Sequence, residues 1–230
     1  MRSNTKGTRM AQLKTLALLL ISISSFAQYN SLGFGLGSSV FRGETSHPLK
    51  LIEEPGLNLY GLYSYWLPND ERWQISTKVH LDYINGKRQS LSSDGAETYN
   101  AHSFLLSTLF GMRFYLDNDI RDYVPEKNQG AFFVGIFAGP SLAYSKYITP
   151  TIIDPVDDTY NLNPILSFNM MGEVGYRLFI NEFWAYELSL GFQSGFNDRW
   201  DGLKGGTGIP DYIFQASFGL TYSFYQFDLR

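Results

Sequence analysis

The sequence predicts an eight-stranded antiparallel transmembrane β-barrel of the outer-membrane type over residues 28–230. Three observations indicate this fold class. The N-terminus is typical of an exported protein, the rest of the chain lacks an apolar run long enough for a membrane helix, and eight segments alternate apolar with polar residues. A barrel strand in a membrane is apolar only on its lipid-facing side, so an alternation of period two is its expected signature.

Residues 1–27 are predicted to be a secretory signal peptide. They contain four basic residues and no acid, an apolar run from Leu16 to Ile23, and the small residues Ser25 and Ala27 at the expected cleavage site. This run is too short to cross a bilayer as a helix, and translation could also begin at Met10. Removal of the segment would leave a single domain and lower the net charge from −4 to −8.

The composition narrows the possible classes of protein. An acidic mature chain argues against nucleic acid as a partner. The absence of Cys excludes a lipid-anchored lipoprotein, disulfides and thiolate metal sites, and no motif indicates a cofactor or a metal. Aromatic residues make up 17% of the chain and Gly occurs 22 times, which favours a membrane barrel over a soluble helical domain.

The clearest alternation lies in residues 73–83, where apolar residues from Trp73 to Tyr83 alternate with a wholly polar set. That polar set is Gln74, Ser76, Lys78, His80 and Asp82. Seven other segments have a similar pattern: 31–41, 57–67, 102–116, 132–144, 166–178, 184–192 and 212–224. Residues 57–67 are apolar on both faces, so their register stays open.

An eight-stranded barrel is expected to be filled by side chains rather than to form a pore. The alternation directs three bases and three acids inward. The bases are Lys78, Arg113 and Arg177, and the acids are Asp82, Glu173 and Glu187. His80 also faces inward, on the same strand as Lys78 and Asp82. We interpret this set as an ion-pair network, because buried charges persist only when they are paired. Aromatic residues near strand ends are predicted to form interfacial girdles. They are Trp66, Trp73, Tyr115, Trp184, Tyr212 and Tyr222.

The lengths of the connections predict the orientation of the barrel. The short connections at 68–70 and 181–182 are typical of periplasmic turns. The long connections would lie outside the cell: 42–56, 87–101, 145–164 and 195–211. Both termini of the mature chain would then lie in the periplasm of a Gram-negative bacterium, with outer-membrane lipids, including lipopolysaccharide, around the barrel. The segment Asp117–Gly130 is an exception, a long connection on the periplasmic side.

Catalytic and ligand-binding interpretations have weaker support than structural ones. His80 and Asp82 could form a base and its orienting carboxylate, but residues two apart share a strand face by construction. Gly205–Gly208 follows no strand-to-helix switch of the kind that a phosphate loop requires. Asp154, Asp157 and Asp158 of an outer loop could bind calcium, although their spacing matches no known calcium-binding loop. We therefore expect a protein that is not an enzyme.

Several short sequences follow a recognisable layout. A Gly-rich first strand ends in Phe41-Arg42-Gly43-Glu44, Pro55-Gly56 opens the second strand, and Ser103-Phe104 enters the fourth. Near the end, Gly191-Phe192-Gln193 precedes residues 197–202, and the closing strand contains Gly-Leu-Thr-Tyr-Ser-Phe at 219–224. This layout resembles the PorG family of small outer-membrane barrels from the type IX secretion apparatus of Bacteroidota. The family has a Thr-Asp-Tyr-Leu-Asp-Asp run at this point, and the chain departs from it at Arg199, Trp200 and Gly202. These departures leave open a paralogue with another role.

The resemblance implies a non-enzymatic protein that anchors the periplasmic ring lipoproteins of the secretion apparatus to the outer membrane. Such an anchor needs contacts on the periplasmic side, where the long segment lies. The centre of this segment combines the charged residues Arg121 and Asp122 with a small apolar group, Ile120, Tyr123 and Val124. Interfaces commonly combine an apolar centre with charges in this way. The alternatives are a free-standing barrel whose outer loops bind ligands or surfaces, and a lipid-modifying enzyme.

Overall fold

A computed structural model describes most of the chain after its N-terminal segment. The described residues are 29–42, 55–67, 70–92, 95–116, 128–148, 164–196 and 211–225. Residues 1–28, which contain the predicted signal peptide, lie outside them. Among the described residues, there is no helix with the length and apolarity that a membrane span requires.

The described residues form eight antiparallel strands that close into a barrel. Each strand pairs with the next along the chain, and the first pairs with the last. The predicted fold class is therefore confirmed, and each predicted segment lies within an observed strand or overruns it by one residue. The strands are β1 (Tyr29–Arg42), β2 (Gly56–Leu67), β3 (Asp70–Ser92), β4 (Gly95–Tyr115), β5 (Gly130–Ile148), β6 (Ile165–Phe179), β7 (Trp184–Gly195) and β8 (Tyr212–Tyr225).

The register of the strands fixes their tilt. Paired residues traced from Ser31 through all eight strands return to β1 at Phe41, ten residues further along. This stagger over eight strands corresponds to a tilt of about 40° from the barrel axis and to an interior that side chains can fill. The stagger also places residues distant in sequence at the same level of the lumen.

The barrel buries its polar residues and exposes its apolar ones. Outward residues include Phe34, Ile136 and Leu190, which are 70%, 66% and 61% exposed, whereas the polar face of β3 is buried. The predicted alternation is confirmed on both faces. The structure also resolves the open register of β2, whose inward residues are Asn58, Tyr60, Leu62, Ser64 and Trp66.

The two ends of the barrel differ in their connections. The turn end carries the connections β2–β3, β4–β5 and β6–β7, and the loop end carries the other four. In the β6–β7 turn, the side-chain oxygen of Asn181 accepts hydrogen bonds from the amides of Phe183 and Trp184, both at 2.9 Å. This Asn-centred turn lets the chain reverse with few residues.

The loop predicted over 87–101 is wrong, because strands β3 and β4 continue through it. They remain paired as far as Ser92 and Gly95. The pairing of β4 with β5 ends at Asn100, whose partner on β3 is Lys87. Residues 88–92 and 95–99 therefore pair only with each other and project beyond the barrel as a hairpin. Most of the other long connections lie outside the described part of the chain: 43–54, 149–163, 197–210 and 117–127.

Two of the six predicted girdle aromatics lie inside the barrel instead. Trp66 and Tyr115 are 6% and 0% exposed, because they share strand faces with the inward residues Ser64 and Arg113. The outward rings do cluster near the strand ends. Trp73 packs on Phe114, Trp184 on Tyr222 and Tyr212 on Phe192, with ring centroids 4.8, 4.8 and 5.7 Å apart.

Candidate functional site in the barrel interior

The lumen is filled in layers, with an apolar cluster near each end. At the turn end this cluster consists of Trp66, Tyr115, Ala131 and Phe133. At the loop end it consists of Phe41, Ile84, Leu105, Ala143 and Ile213, with Ile165 packed against it. A third cluster lies between them, formed by Leu109, Phe137 and Met171. Polar side chains occupy the levels between these clusters.

The polar network nearer the turn end is built on charges, and Arg113 of β4 is its centre. Its Nε donates to Glu173 Oε1 at 2.5 Å. Its Nη1 and Nη2 donate to the two carboxylate oxygens of Glu187 at 3.0 and 2.9 Å. A guanidinium that binds a carboxylate through two parallel bonds combines strong electrostatic attraction with a fixed geometry.

Two further bases complete this ion-pair network. Lys78 donates to Glu173 at 2.6 Å, and Arg177 donates to Glu187 at 2.9 Å. Arg177 and Glu187 also stand directly opposite each other in the β6–β7 ladder. All five side chains are at most 1% exposed. The network therefore joins β3 and β4 to β6 and β7 across the lumen.

Aromatic rings support these cations. Lys78 Nζ lies 4.5 Å from the ring centroid of Tyr60, and Arg113 Cζ lies 4.4 Å from that of Phe133. Such contacts stabilise a cation that has lost its water. The ring of Tyr60 fits because β1 and β8 carry Gly35 and Gly219 beneath it, where an added Cβ would overlap the ring. Glycine in a strand interior commonly marks such a close approach.

Asp82 corrects the expectation that three bases pair with three acids. It accepts hydrogen bonds from neutral amides, from Asn58 at 2.7 Å and from Gln215 to both of its oxygens at 3.0 Å. Three bases thus share two carboxylates, while Asp82 belongs to a second network. Carboxylate oxygens accept readily from amide donors, so this arrangement satisfies the buried Asp without a cation.

His80 contacts Asn58 rather than Asp82. Asn58 Oδ1 accepts from Ser217, which leaves Asn58 Nδ2 as the donor towards His80 Nδ1, 3.1 Å away. A catalytic base and its orienting group would share a bond from His to carboxylate, but in the described part of the chain His80 and Asp82 each bond to Asn58 instead. Both side chains are fully buried. No group of three potential metal ligands occurs in the described part of the chain.

The second network consists of amides and hydroxyls and lies nearer the loop end. Gln193 and Asn169 donate to Ser107 at 3.0 and 3.4 Å, and Gln215 also donates to Gln193 at 3.4 Å. Sequence reasoning missed this amide network because it searched the inward faces for charges. The signal was present, since each member is a buried polar residue that directly follows an outward apolar residue on its strand.

The exterior carries an apolar belt of limited height. On β3 it runs from Trp73 to Tyr83, with the exposed Arg72 before it and Asn85 after it. Ten residue steps of about 3.4 Å, tilted by about 40°, give a height of about 25 Å. This is the height of the apolar band on bacterial membrane barrels. At its upper edge, Asn85 Oδ1 and His102 Nδ1 lie 2.7 Å apart.

Comparisons with known proteins add structural neighbours only. No protein-family model and no curated protein matches the chain. The attachment invasion locus protein Ail of Yersinia pestis, solved with the heparin analogue sucrose octasulfate, is similar at 12% identity over 85% of this chain and 98% of its own, with a TM-score of 0.46. Neisserial surface protein A has 7% identity over 86% and 98%, with a TM-score of 0.45. OprG of Pseudomonas aeruginosa has 10% identity over 87% and 97%, with a TM-score of 0.43.

At these identities and TM-scores, the register and burial of the chain itself carry the fold assignment. The closed ladder satisfies the backbone groups of the strands, the belt is apolar, and the interior is polar and filled. These features define a membrane-spanning β-barrel with a plugged lumen.

Proposed function

We propose that the chain is an outer-membrane barrel that acts through its ends and not through its lumen, with the turn end facing the periplasm. The observation that carries this proposal is the filled interior, in which ion pairs and amides lie between apolar clusters. A solute crossing it would have to break buried charge pairs, which is costly. Short turns on the periplasmic side are the common arrangement in bacterial barrels.

The orientation can be tested with single cysteines, because the chain has none of its own. We expect Ser92→Cys, in the projecting hairpin, to react with a membrane-impermeant maleimide on intact cells. Glu182→Cys, in the β6–β7 turn, should react only after the outer membrane is permeabilised. Labelling of Glu182→Cys but not Ser92→Cys on intact cells would reverse the proposed orientation.

Within this assignment, we propose that the barrel anchors periplasmic ring lipoproteins of a type IX-like secretion apparatus. The resemblance to the PorG family supports this role, and so does the position of the long β4–β5 connection. Its first flank is fixed by a bond from the Leu116 amide to the Phe132 carbonyl, and its last flank by a bond from the Asn128 amide to the Phe179 carbonyl, both at 2.8 Å. Both flanks thus emerge at the turn end.

The test replaces the apolar group of this connection, Ile120, Tyr123 and Val124, with Ser. These residues lie outside the described part of the chain, as do Arg121 and Asp122. We expect the variant to insert and to migrate as a folded barrel on unheated gels while co-purifying less ring lipoprotein in mild detergent. The matched control replaces three polar residues of the same connection, Asn118, Glu126 and Lys127, with Ser, and should retain the lipoproteins. Undiminished recovery by the first variant would contradict the anchor.

A second candidate function, binding of ligands or surfaces outside the cell, is favoured by the projecting hairpin. Residues 88–92 of β3 pair with residues 95–99 of β4, beyond the last pairs that these two strands make with β2 and β5. A paired arm holds its tip away from the membrane more firmly than an irregular loop would. Deletion of residues 87–99 should abolish adhesion if this function is correct, and should leave secretion unaffected.

We further propose that the protein is not an enzyme, because the candidate base that the sequence indicates, His80, is inaccessible to lipid. His80 is fully buried and faces the lumen, on the opposite side of the wall from the apolar belt. Loss of an activity on lipid after His80→Ala, with the heat-modifiable gel shift retained, would favour the lipid-modifying alternative instead.

A further inference from the structure

Three buried side chains near the turn end have polar atoms without a hydrogen-bond partner among the described residues. They are Ser31 Oγ on β1, Gln74 Nε2 on β3 and Arg177 Nη1 on β6. All three residues are fully buried. Buried polar atoms are normally satisfied, and an unsatisfied donor costs free energy. Three in one part of the lumen therefore indicate a bound acceptor.

The three residues belong to one level of the barrel. The Tyr115 hydroxyl donates to Gln74 Oε1 at 3.2 Å, and the guanidinium carbon of Arg177 lies 5.5 Å from the centroid of the same Tyr115 ring. Ser31 of β1 pairs with Ser64 of β2, and Ser64 pairs in turn with Ser76 of β3. Ser76 lies two positions from Gln74 on the same strand face. In a ring of eight strands, β6 lies opposite β2, so Arg177 faces this wall of small hydroxyls.

The charge of this region identifies the kind of acceptor. The ion-pair network contains three bases and two carboxylates, and Asp82 lies beyond it in the amide network. Among the described residues, the turn-end half of the lumen therefore holds one positive charge in excess. A buried charge without compensation is strongly unfavourable. The unpartnered nitrogens of Gln74 and Arg177 can only donate hydrogen bonds, so they suit an anion.

We propose that Arg177, Gln74 and Ser31 form a binding site for a small monovalent anion of the halide class, such as chloride. The anion accepts from the guanidinium, the carboxamide and the hydroxyl and neutralises the excess base of the ion-pair network. The site lies beside the aromatic cluster of the turn end, because Arg177 Cζ is 5.5 Å from the Tyr115 ring centroid. The site does not depend on any secretion partner.

Crystals of the wild-type barrel grown in sodium bromide give a direct test. We expect an anomalous bromide peak within hydrogen-bond distance of Arg177 Nη1 and Gln74 Nε2. A water molecule at this position, with no anomalous signal, would overturn the proposal. This experiment needs no variant, so its result does not depend on the folding of a mutant.

A second test compares unfolding temperatures of barrels refolded in chloride or gluconate at equal ionic strength. A ligand that binds only the folded state raises its stability, so the wild type should unfold at a lower temperature in gluconate. Gln74→Glu supplies a fixed carboxylate and should unfold at the same temperature in both salts. The control Gln193→Glu alters a fully buried amide of the other network and should keep the chloride dependence. A wild type without this dependence, or a Gln74→Glu variant that retains it, would contradict the site.

Discussion

The two polar networks of the lumen solve the same problem with different chemistry. The ion-pair network joins opposite walls through Arg113, Lys78 and Arg177, whereas the amide network surrounds the single carboxylate of Asp82 with neutral donors. Removing a carboxylate from the first leaves buried cations without their counter-charge, whereas neutralising Asp82 in the second leaves only neutral amides without an acceptor. The difference teaches that equally buried polar residues contribute very unequally to stability.

Glu187→Ala tests the strong side of this comparison and should have the largest effect. It leaves both Arg113 and Arg177 without their shared carboxylate, so we expect a loss of about 3–5 kcal/mol in the free energy of unfolding. Urea titration of the refolded barrel in lipid vesicles measures this loss. The matched control is Glu182→Ala, in the exposed β6–β7 turn, which should leave stability unchanged. Equal stability of the Glu187→Ala variant would mean that the lumen is hydrated and the comparison fails.

Gly219→Ala probes the boundary between the two networks and should have an intermediate effect. Tyr60 lies there, with its ring near both Lys78 and His80, and a Cβ at Gly219 would overlap the Tyr60 hydroxyl. We expect a cost of about 1–3 kcal/mol in the same urea titration. Gly172→Ala is the control, because an added Cβ there meets no atom within 4 Å. Similar losses for both variants would show that backbone freedom, not Tyr60, determines the cost.

Asp82→Asn tests the weak side and should have the smallest effect. The substituted side chain keeps one oxygen that can accept from Asn58 or Gln215, and no opposite charge loses its partner. We expect a loss of about 1 kcal/mol in the free energy of unfolding. A loss as large as that of Glu187→Ala would show that Asp82 compensates the ion-pair network from a distance. The two halves of the lumen would then form one electrostatic unit.

Alternation along each strand was sufficient to predict the strands and the inward faces. It placed Lys78, Arg113 and Glu173 in the lumen because each is flanked by outward apolar residues. Pairing was harder, since Lys78 and Glu173 are 95 residues apart and meet only through the stagger of the closed barrel. Only Arg177 and Glu187, which flank a short turn, had partners that local sequence could indicate.

The errors have a common physical cause. Trp66 and Tyr115 look like interfacial aromatics by their position near strand ends, but the pleat directs both side chains inward. The segment 87–101 resembles a loop in sequence because the apolar–polar alternation weakens where a strand no longer contacts lipid. The backbone pairing of β3 with β4 nevertheless continues through it. The apolar–polar alternation of a strand therefore indicates whether its faces meet lipid or the lumen, but it does not show where the backbone hydrogen bonds between strands end.

The arrangement of the ion pairs constrains the order of events when the barrel forms. The β3–β4 hairpin carries Lys78 and Arg113, and their carboxylate partners lie on the β6–β7 hairpin, with contacts that are distant in sequence. Either hairpin alone would carry uncompensated charge into the hydrocarbon, which is costly for any inserted segment. Stepwise insertion of hairpins is therefore disfavoured. We therefore expect the two hairpins to meet at the membrane surface before either enters the bilayer, so that assembly of the lumen and insertion occur in a single kinetic step.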